Sequence, residues 1–310
     1  MSENEPLKPL IELENVSYTY PDGTCALKKI SVKIPEKSII AITGANGSGK
    51  STLLLIMAGL LDPQEGCVRF RGIDMKKLGH KVRREIGVVF QDPDDQLFAP
   101  TVYDDIAFGL RLLKLSEKEV RARVYEIARE LGIENLLNRP PHRLSGGEKR
   151  RVALATTLIL NPSVLLLDEP FSDLTPYAVE YLMDFIMKLR GSGRTIVFTS
   201  HDIDIVAELS DYVYVLAKGQ LIAQGKPNEV LCNDELLSKA EMRPPTVTII
   251  YRELMGYSDR CPIKMSELLS ILRSRIVAPH SHDGVACNKF ALSEEKISYL
   301  TKSPQYDGSF

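Results

Sequence analysis

Apolar and polar positions alternate from the start of the chain. Ile11 and Leu13 stand two apart, then Val16, Tyr18 and Tyr20, which predicts a strand over residues 11–20 with a slip near Asn15. Pro21-Asp22-Gly23 closes it as a turn. Residues 27–34 predict the partner strand, with Ile30, Val32 and Ile34 on one face. A short apolar run at 38–43 predicts a buried strand, followed by a glycine-rich loop and a helix over 50–60. Residues 86–90 form another apolar strand. From 101 to 132 the period turns helical, with Ile106, Leu110 and Leu113 on one face and Val120, Val124, Ile127 and Leu131 on another. Pro140-Pro141 breaks that region, and a helix with Val152, Ala155, Leu158 and Ile159 follows Ser145. Runs at 164–167, 195–199 and 212–216 are β-rich and separated by helices, and Lys218-Gly219-Gln220 reads as a hairpin turn. Such alternation predicts an α/β fold with a parallel sheet covered by helices. After Arg243-Pro244-Pro245 the pattern weakens; residues 265–276 suit a helix, and the last thirty or so are polar.

Composition narrows this picture only a little. The 310 residues suffice for one large domain plus an appendage, or for two small domains. Hydrophobic residues at 44% and charged residues at 26% are ordinary for a globular protein. A net charge of -2 gives no basic footprint for nucleic acid, so anion binding has to be local. The scattered cysteines (Cys25, Cys67, Cys232, Cys261, Cys287) suit a reduced compartment better than a disulfide framework. The acidic, polar start shows no targeting signal. The longest apolar run, 53–61, is about half of the ~20 residues a bilayer span needs. If the chain serves transport, other chains supply the channel.

The glycine loop carries the sharpest chemistry. Gly44-Ala45-Asn46-Gly47-Ser48-Gly49-Lys50-Ser51, followed by Thr52, fits G-x-x-x-x-G-K-[ST] between a predicted strand and a predicted helix. Glycines let the backbone curl until several N–H groups face one anion at a helix N-terminus; Lys50 supplies a mobile cation and Ser51 a hydroxyl for Mg²⁺. Asp168 and Glu169 end the apolar strand at 164–167, where ligands sit in open α/β sheets. There Asp168 is a candidate to hold Mg²⁺ through water and Glu169 a general base; a helix start enriched in acids is the competing reading. Ser145-Gly146-Gly147 offers a second anion site, or a plain helix cap.

Taken in order, the loop, Leu144-Ser145-Gly146-Gly147-Glu148, the strand ending in Asp168-Glu169-Pro170, and Ser200-His201-Asp202 resemble the ATPase subunit of an ABC transporter. The resemblance covers about residues 10–245. It implies a P-loop NTPase core with a mostly parallel sheet, an antiparallel β subdomain, a helical subdomain at about 91–150 and a C-terminal extension at 246–310. It implies ATP and Mg²⁺ as ligands, with Ser51, Gln91 and Asp168 at the metal. His201 resembles the switch histidine that contacts the γ-phosphate and positions Glu169. Gln91 resembles the glutamine that links the core to the helical subdomain, and Tyr20 the aromatic that stacks on adenine, with Tyr18 as competing candidate. Ser145, Gly146 and Gly147 would cap ATP bound to another subunit, in a homodimer or a heterodimer with a second ABC ATPase. One position departs from the family: Thr175 stands where an aspartate usually bridges the dimer interface.

The stretch at 89–102 (V-F-Q-D-P-D-D-Q-L-F-A-P-T-V) is similar to energy-coupling factor importers, including cobalt and nickel systems. That likeness implies a peripheral subunit on the cytoplasmic face of the membrane. Its partners would be a transmembrane coupling subunit and a substrate-binding membrane subunit, with no nucleic acid. Leu97 and Phe98 would be apolar contacts beneath the coupling subunit, with local core as the competing reading. The alternative class is a soluble ABC ATPase in translation or DNA maintenance, which the single cassette and the lack of sustained heptads disfavour. A third, a non-hydrolysing nucleotide-gated scaffold, draws support only from Thr175. His280-Ser281-His282-Asp283 lacks a full structural ligand set and reads better as a polar tail than as a metal site.

Overall fold

The computed structural model describes residues 9–256 and 261–276; the His280–Asp283 segment lies outside them. The chain divides into two compact units, Met1–Lys264 and Met265–Phe310. In the first, an antiparallel sheet is built from β1 (Pro9–Thr19), β2 (Cys25–Pro35), β4 (Glu65–Phe70) and the short β5 (Ile73–Asp74), in the order β2-β1-β4-β5. The slip foreseen near Asn15 is present. The β1–β2 register shifts between Leu13 and Val16, and Asn15 takes a left-handed φ of 49°. β4 and β5 were not foreseen, because only Val68 and Phe70 in β4 are buried and the alternation is too short to read.

The second sheet has the order β10-β9-β3-β8-β7-β6, where β3 is Ile39–Thr43, β6 Ile86–Val89, β7 Val164–Leu167, β8 Thr195–Ser200, β9 Tyr212–Ala217 and β10 Gln220–Gly225. All pairs are parallel except the β9–β10 hairpin, which turns at Lys218-Gly219 as expected. Alternate residues of this sheet feed two cores. Ile40, Ile42, Leu166 and Val197 meet the antiparallel sheet and α1 (Lys50–Met57). Ala41, Leu165, Leu167, Ile196 and Phe198 meet helices on the other face. Burial on both faces explains why these strands read as continuous apolar runs rather than alternating ones.

Helices on that second face are α3 (Val102–Leu112), α4 (Glu117–Glu130), α5 (Gly146–Leu158), α6 (Pro176–Gly191) and α7 (Ile203–Leu209); the short α2 (Met75–Leu78) follows β5. The helical period over 101–132 is two helices. Lys114 takes a φ of 57°, and Ser116 opens α4 with a capping box to Glu119. Past the hairpin come α8 (Pro227–Leu231), α9 (Asp234–Lys239) and α10 (Thr246–Met255). Helix α10 lies where the sequence pattern faded. Its N-terminus is pinned by Thr246 N–H donating to Asp204 Oδ1 at 2.7 Å, and its last turn by Arg252 against Asp234 at 2.6 Å. In the second unit the described residues form α11, Met265–Ile276, as the periodicity predicts.

Candidate functional site

Five parallel strands point their carboxyl ends at one edge, and the glycine loop, Gln91, Asp168, Glu169 and His201 leave from that edge. Thr43 and Ser200 are in register, as are Leu167 and Phe198, so the glycine loop, Asp168-Glu169 and His201 emerge side by side. Gln91 leaves two residues after β6. This is the crevice where ligands bind in open α/β sheets.

The loop is held by close backbone approach. A Cβ on Gly44 (φ 147°) would sit 2.1 Å from the Leu216 carbonyl oxygen, and one on Gly49 (φ 104°) 2.5 Å from that of Ala26. Only glycine fits either place. Lys50, buried at the head of α1, donates to the carbonyls of Gly44 at 3.0 Å and Ala45 at 3.3 Å. Its ammonium also lies 3.4 Å from Glu169 Oε1, while His201 Nδ1 is 3.0 Å from Glu169 Oε2. Glu169 thus stands between a buried cation and an exposed imidazole.

Glu169 has a left-handed φ of 42°. Such a conformation costs roughly 1–2 kcal/mol for a residue with a Cβ and persists only where neighbours fix it. Thr199, on β8, is one such neighbour: its hydroxyl accepts from Glu169 N–H at 2.7 Å and donates to Asp168 Oδ1 at 2.6 Å. The sequence reading passed over Thr199. A signal was available, a hydroxyl closing an otherwise apolar strand one strand away from two carboxylates.

Tyr20, Asn46, Gly47, Gly49, Lys50, Ser51, Thr52, Gln91, Glu169 and His201 line one cavity of about 610 Å³. Tyr20 lies at its wall, with its hydroxyl 3.1 Å from Thr52 Oγ1 and Tyr18 edge-on behind it at 5.0 Å. Gly44, Ala45 and Ser48 form the turn of the loop. Asp168 opens instead into the adjoining cavity of about 580 Å³, together with Ser51, Gln91 and Gly146. A hydroxyl, an amide oxygen and a carboxylate there form an all-oxygen donor set of the kind Mg²⁺ takes, so the residues present fit that ion. Ser145 and Gly147 lie elsewhere, on a third cavity of about 300 Å³, so the structure does not bring these two to the cavity lined by the glycine loop of their own chain. Ser145 caps α5, its hydroxyl donating to Glu148 Oε2 at 2.9 Å. The backbone N–H of Ser145, and then that hydroxyl contact, hold the Glu148 carboxyl below its usual pKa.

The expectation for Leu97 is corrected. Leu97 is only 8% exposed and packs in the helical core, whereas Phe98 is 70% exposed and stacks edge-on against Phe108 at 5.1 Å. Adjacent apolar residues in an irregular loop point to opposite sides, which composition does not reveal. Asp105, buried nearby, accepts from the N–H groups of Phe98 and Ala99 and fixes that split; burial pushes its carboxyl pKa up.

Fold and cavity together define a P-loop ATPase cassette. The family model "ABC transporter" matches residues 27–172. The chain is 40% identical over 271 residues to an energy-coupling factor transporter ATP-binding protein of Methanocaldococcus jannaschii, covering 86% of this chain and 97% of the relative. It is 39% identical to a putative ABC transporter ATP-binding protein of Methanosarcina mazei, covering 95% of this chain and 67% of the relative. Among solved structures, cbiO1 of Clostridium perfringens, described as part of the transporter complex cbiONQ, superposes with a TM-score of 0.67 at 40% identity, covering 81% of this chain and 100% of that one. A dimeric ATP-binding cassette in a post-hydrolysis state, bound to ADP and Pi, gives 0.65 at 33% identity, covering 70% and 98%. The chain belongs to the ABC transporter ATP-binding proteins, and within them to the energy-coupling factor type. It is an ATPase of the transport-coupled class.

Proposed function

We propose that this chain is the ATP-hydrolysing subunit of an energy-coupling factor importer for a metal ion, cobalt or nickel, or for a vitamin. It works as an ATP-driven dimer clamp at the cytoplasmic face of the membrane. Among the described residues no helix is long and apolar enough to cross a membrane. Its partners are a transmembrane coupling subunit and a substrate-binding membrane subunit.

The observation that carries the reading is the placement of Glu169 between Lys50 at 3.4 Å and His201 at 3.0 Å on the wall of the P-loop cavity. Lys50 is the cation for the β- and γ-phosphates, and the loop N–H groups cradle them. An arriving phosphate competes with Glu169 for Lys50, which frees the carboxylate to accept a proton from the attacking water. His201 Nδ1 orients that carboxylate. Ser51, Gln91 and Asp168 would hold magnesium, which would neutralise phosphate charge. Tyr20 presents its ring to the adenine. Ser145, Gly146 and Gly147 cap the γ-phosphate on the second subunit, so ATP joins the two and its hydrolysis releases them.

The test is Glu169→Gln. The amide keeps shape and removes the base, so Mg·ATP still binds while turnover falls at least about a hundredfold. The variant accumulates as an ATP-dependent dimer in sedimentation, alone or with a second ABC ATPase. Wild-type turnover refutes the base. Purification from native membranes without any integral membrane protein refutes the importer.

A further inference from the structure

We propose that Arg150 is a positioning residue for ATP hydrolysis: it holds the Glu169 segment and the Gln91 loop to the helix that begins at Ser145. The inference rests on the reading of Glu169 and Gln91 given above.

Arg150 is buried in the first turns of α5. Its guanidinium donates to the carbonyls of Pro170 at 2.7 Å, Ser172 at 2.6 Å and Gln91 at 3.3 Å. A buried cation is expensive, and an apolar side chain would fill the space at less cost. What the guanidinium adds is a planar fork whose donors reach two separate loops at once. Both loops flank the nucleotide cavity, one ending in the general base and the other in a magnesium ligand. Burial lowers the Arg150 pKa, and Asp173 and Asp92 counter this by favouring the charged form; arginine stays a cation at neutral pH.

The backbone at Glu169 explains the need. Its φ of 42° has to be imposed from both sides. Thr199 fixes the N–H of Glu169, and Arg150 fixes the carbonyl of the residue that follows. Without the second anchor the segment can relax toward ordinary φ, and the carboxylate leaves its place beside His201. The link also has a direction. Arg150 follows Ser145 by about one and a half helical turns, roughly 7.5 Å along the axis. A phosphate that draws the Ser145 end of α5 moves Arg150 with it, and through Arg150 the two loops. Lys149 beside it pairs with Asp94 at 2.7 Å and ties the same helix to the Gln91 loop at a second point. Lys149 does not reach the Glu169 segment.

The experiment uses the full chain and compares wild type, Arg150→Lys, Arg150→Ala and Glu169→Gln. Affinity for a fluorescent ATP analogue with Mg²⁺, steady-state kcat and KM, and thermal melting are measured for each. Lysine keeps the charge but offers a single point of donation, so kcat falls about tenfold or more while affinity and KM stay within about twofold. Arg150→Ala loses more kcat, and guanidinium salt restores part of it without accelerating wild type. A purely structural role predicts the opposite pattern: activity falls in step with melting temperature in both variants, and guanidinium does nothing. That pattern, or wild-type kcat in Arg150→Lys beside an inactive Glu169→Gln, overturns the inference. An active Glu169→Gln overturns the underlying assignment of the base instead, so the two failures are told apart.

Discussion

Thr199 shows how much of the site depends on one hydroxyl. Valine is nearly its shape but offers neither the acceptor for Glu169 N–H nor the donor for Asp168 Oδ1. Thr199→Val leaves a buried N–H unpaired, at about 1–3 kcal/mol, and removes one of the two anchors of a strained residue. Expected results are a lowered melting temperature and an ATPase rate down about tenfold with nucleotide affinity kept; unchanged kcat would show that Glu169 is held from elsewhere. The candidate reactive groups were legible because phosphate chemistry imposes residue types at fixed spacing: Gly44 to Ser51 needs its glycines whatever the surroundings. The supporting groups were harder to read. Arg150 acts through backbone carbonyls of segments distant in sequence, and a hydrogen bond to a carbonyl leaves no mark on the residue that owns it; Thr199 left one trace, a hydroxyl near the end of an apolar strand. Leu97 and Phe98 fall in the same class, since which of two neighbours faces the core is settled by the loop that Asp105 holds.

At the scale of elements, segments with a clear apolar signature read correctly and those with a mixed or interrupted pattern did not. The apolar strands β3, β7, β8 and β9 are buried on both faces, and their composition alone marks them. Helix α10 escaped because it opens directly after Pro244-Pro245 with Thr246-Val247-Thr248-Ile249-Ile250, β-branched residues that suit a strand as well as a helix. Its fate is decided by tertiary bonds to Asp204, Asp234 and Cys232. The two sheets are likewise joined by a contact no pattern predicts. Tyr214 on β9 donates to the Lys33 carbonyl at 2.5 Å and accepts from its N–H at 3.0 Å, satisfying both groups of the β2 edge; burial pushes the phenol pKa up to about 12. Tyr214→Phe strips both bonds. It should cost about 1–2 kcal/mol and lower the melting temperature by about 2–8 °C with ATPase activity preserved at 25 °C. Helix α6 gives a second test. Thr175 caps it, accepting weakly from Ala178 N–H at 3.4 Å, and aspartate caps at least as well. Thr175→Asp should therefore leave melting unchanged within about a degree, so that any rise in ATPase rate or cooperativity reports the restored interface charge. A large loss of activity at unchanged melting would mean the interface has adapted to threonine.

For the whole molecule, the division of labour follows from what each surface offers. The carboxyl edge of the parallel strands carries the reactive groups, and the helical side presents Phe98 and, at 46% exposure, Phe108 as a stacked aromatic pair open to solvent. Rings left 70% and 46% exposed forgo part of the roughly 1.5–3 kcal/mol that full burial of each would give, and contact with a partner recovers it. Phe98 sits on the segment between Gln91 and α3, and Phe108 on α3 itself, so movement at Gln91 passes to the pair through a short, well-bonded loop: Gln96 Nε2 donates to the Ala153 carbonyl on α5 at 2.9 Å. Replacing Phe98 and Phe108 together with serine should leave the ATPase rate of the isolated chain close to wild type and its melting temperature little changed, because neither ring lies in the core. The same change should weaken attachment to the transmembrane subunit by about 2–3.5 kcal/mol, a loss of roughly thirty- to three-hundredfold in affinity. Co-purification from membranes and a melting curve read the two effects separately. Partner lost with melting intact assigns the pair to the membrane contact; partner retained, whatever the melting, places that contact elsewhere on the surface.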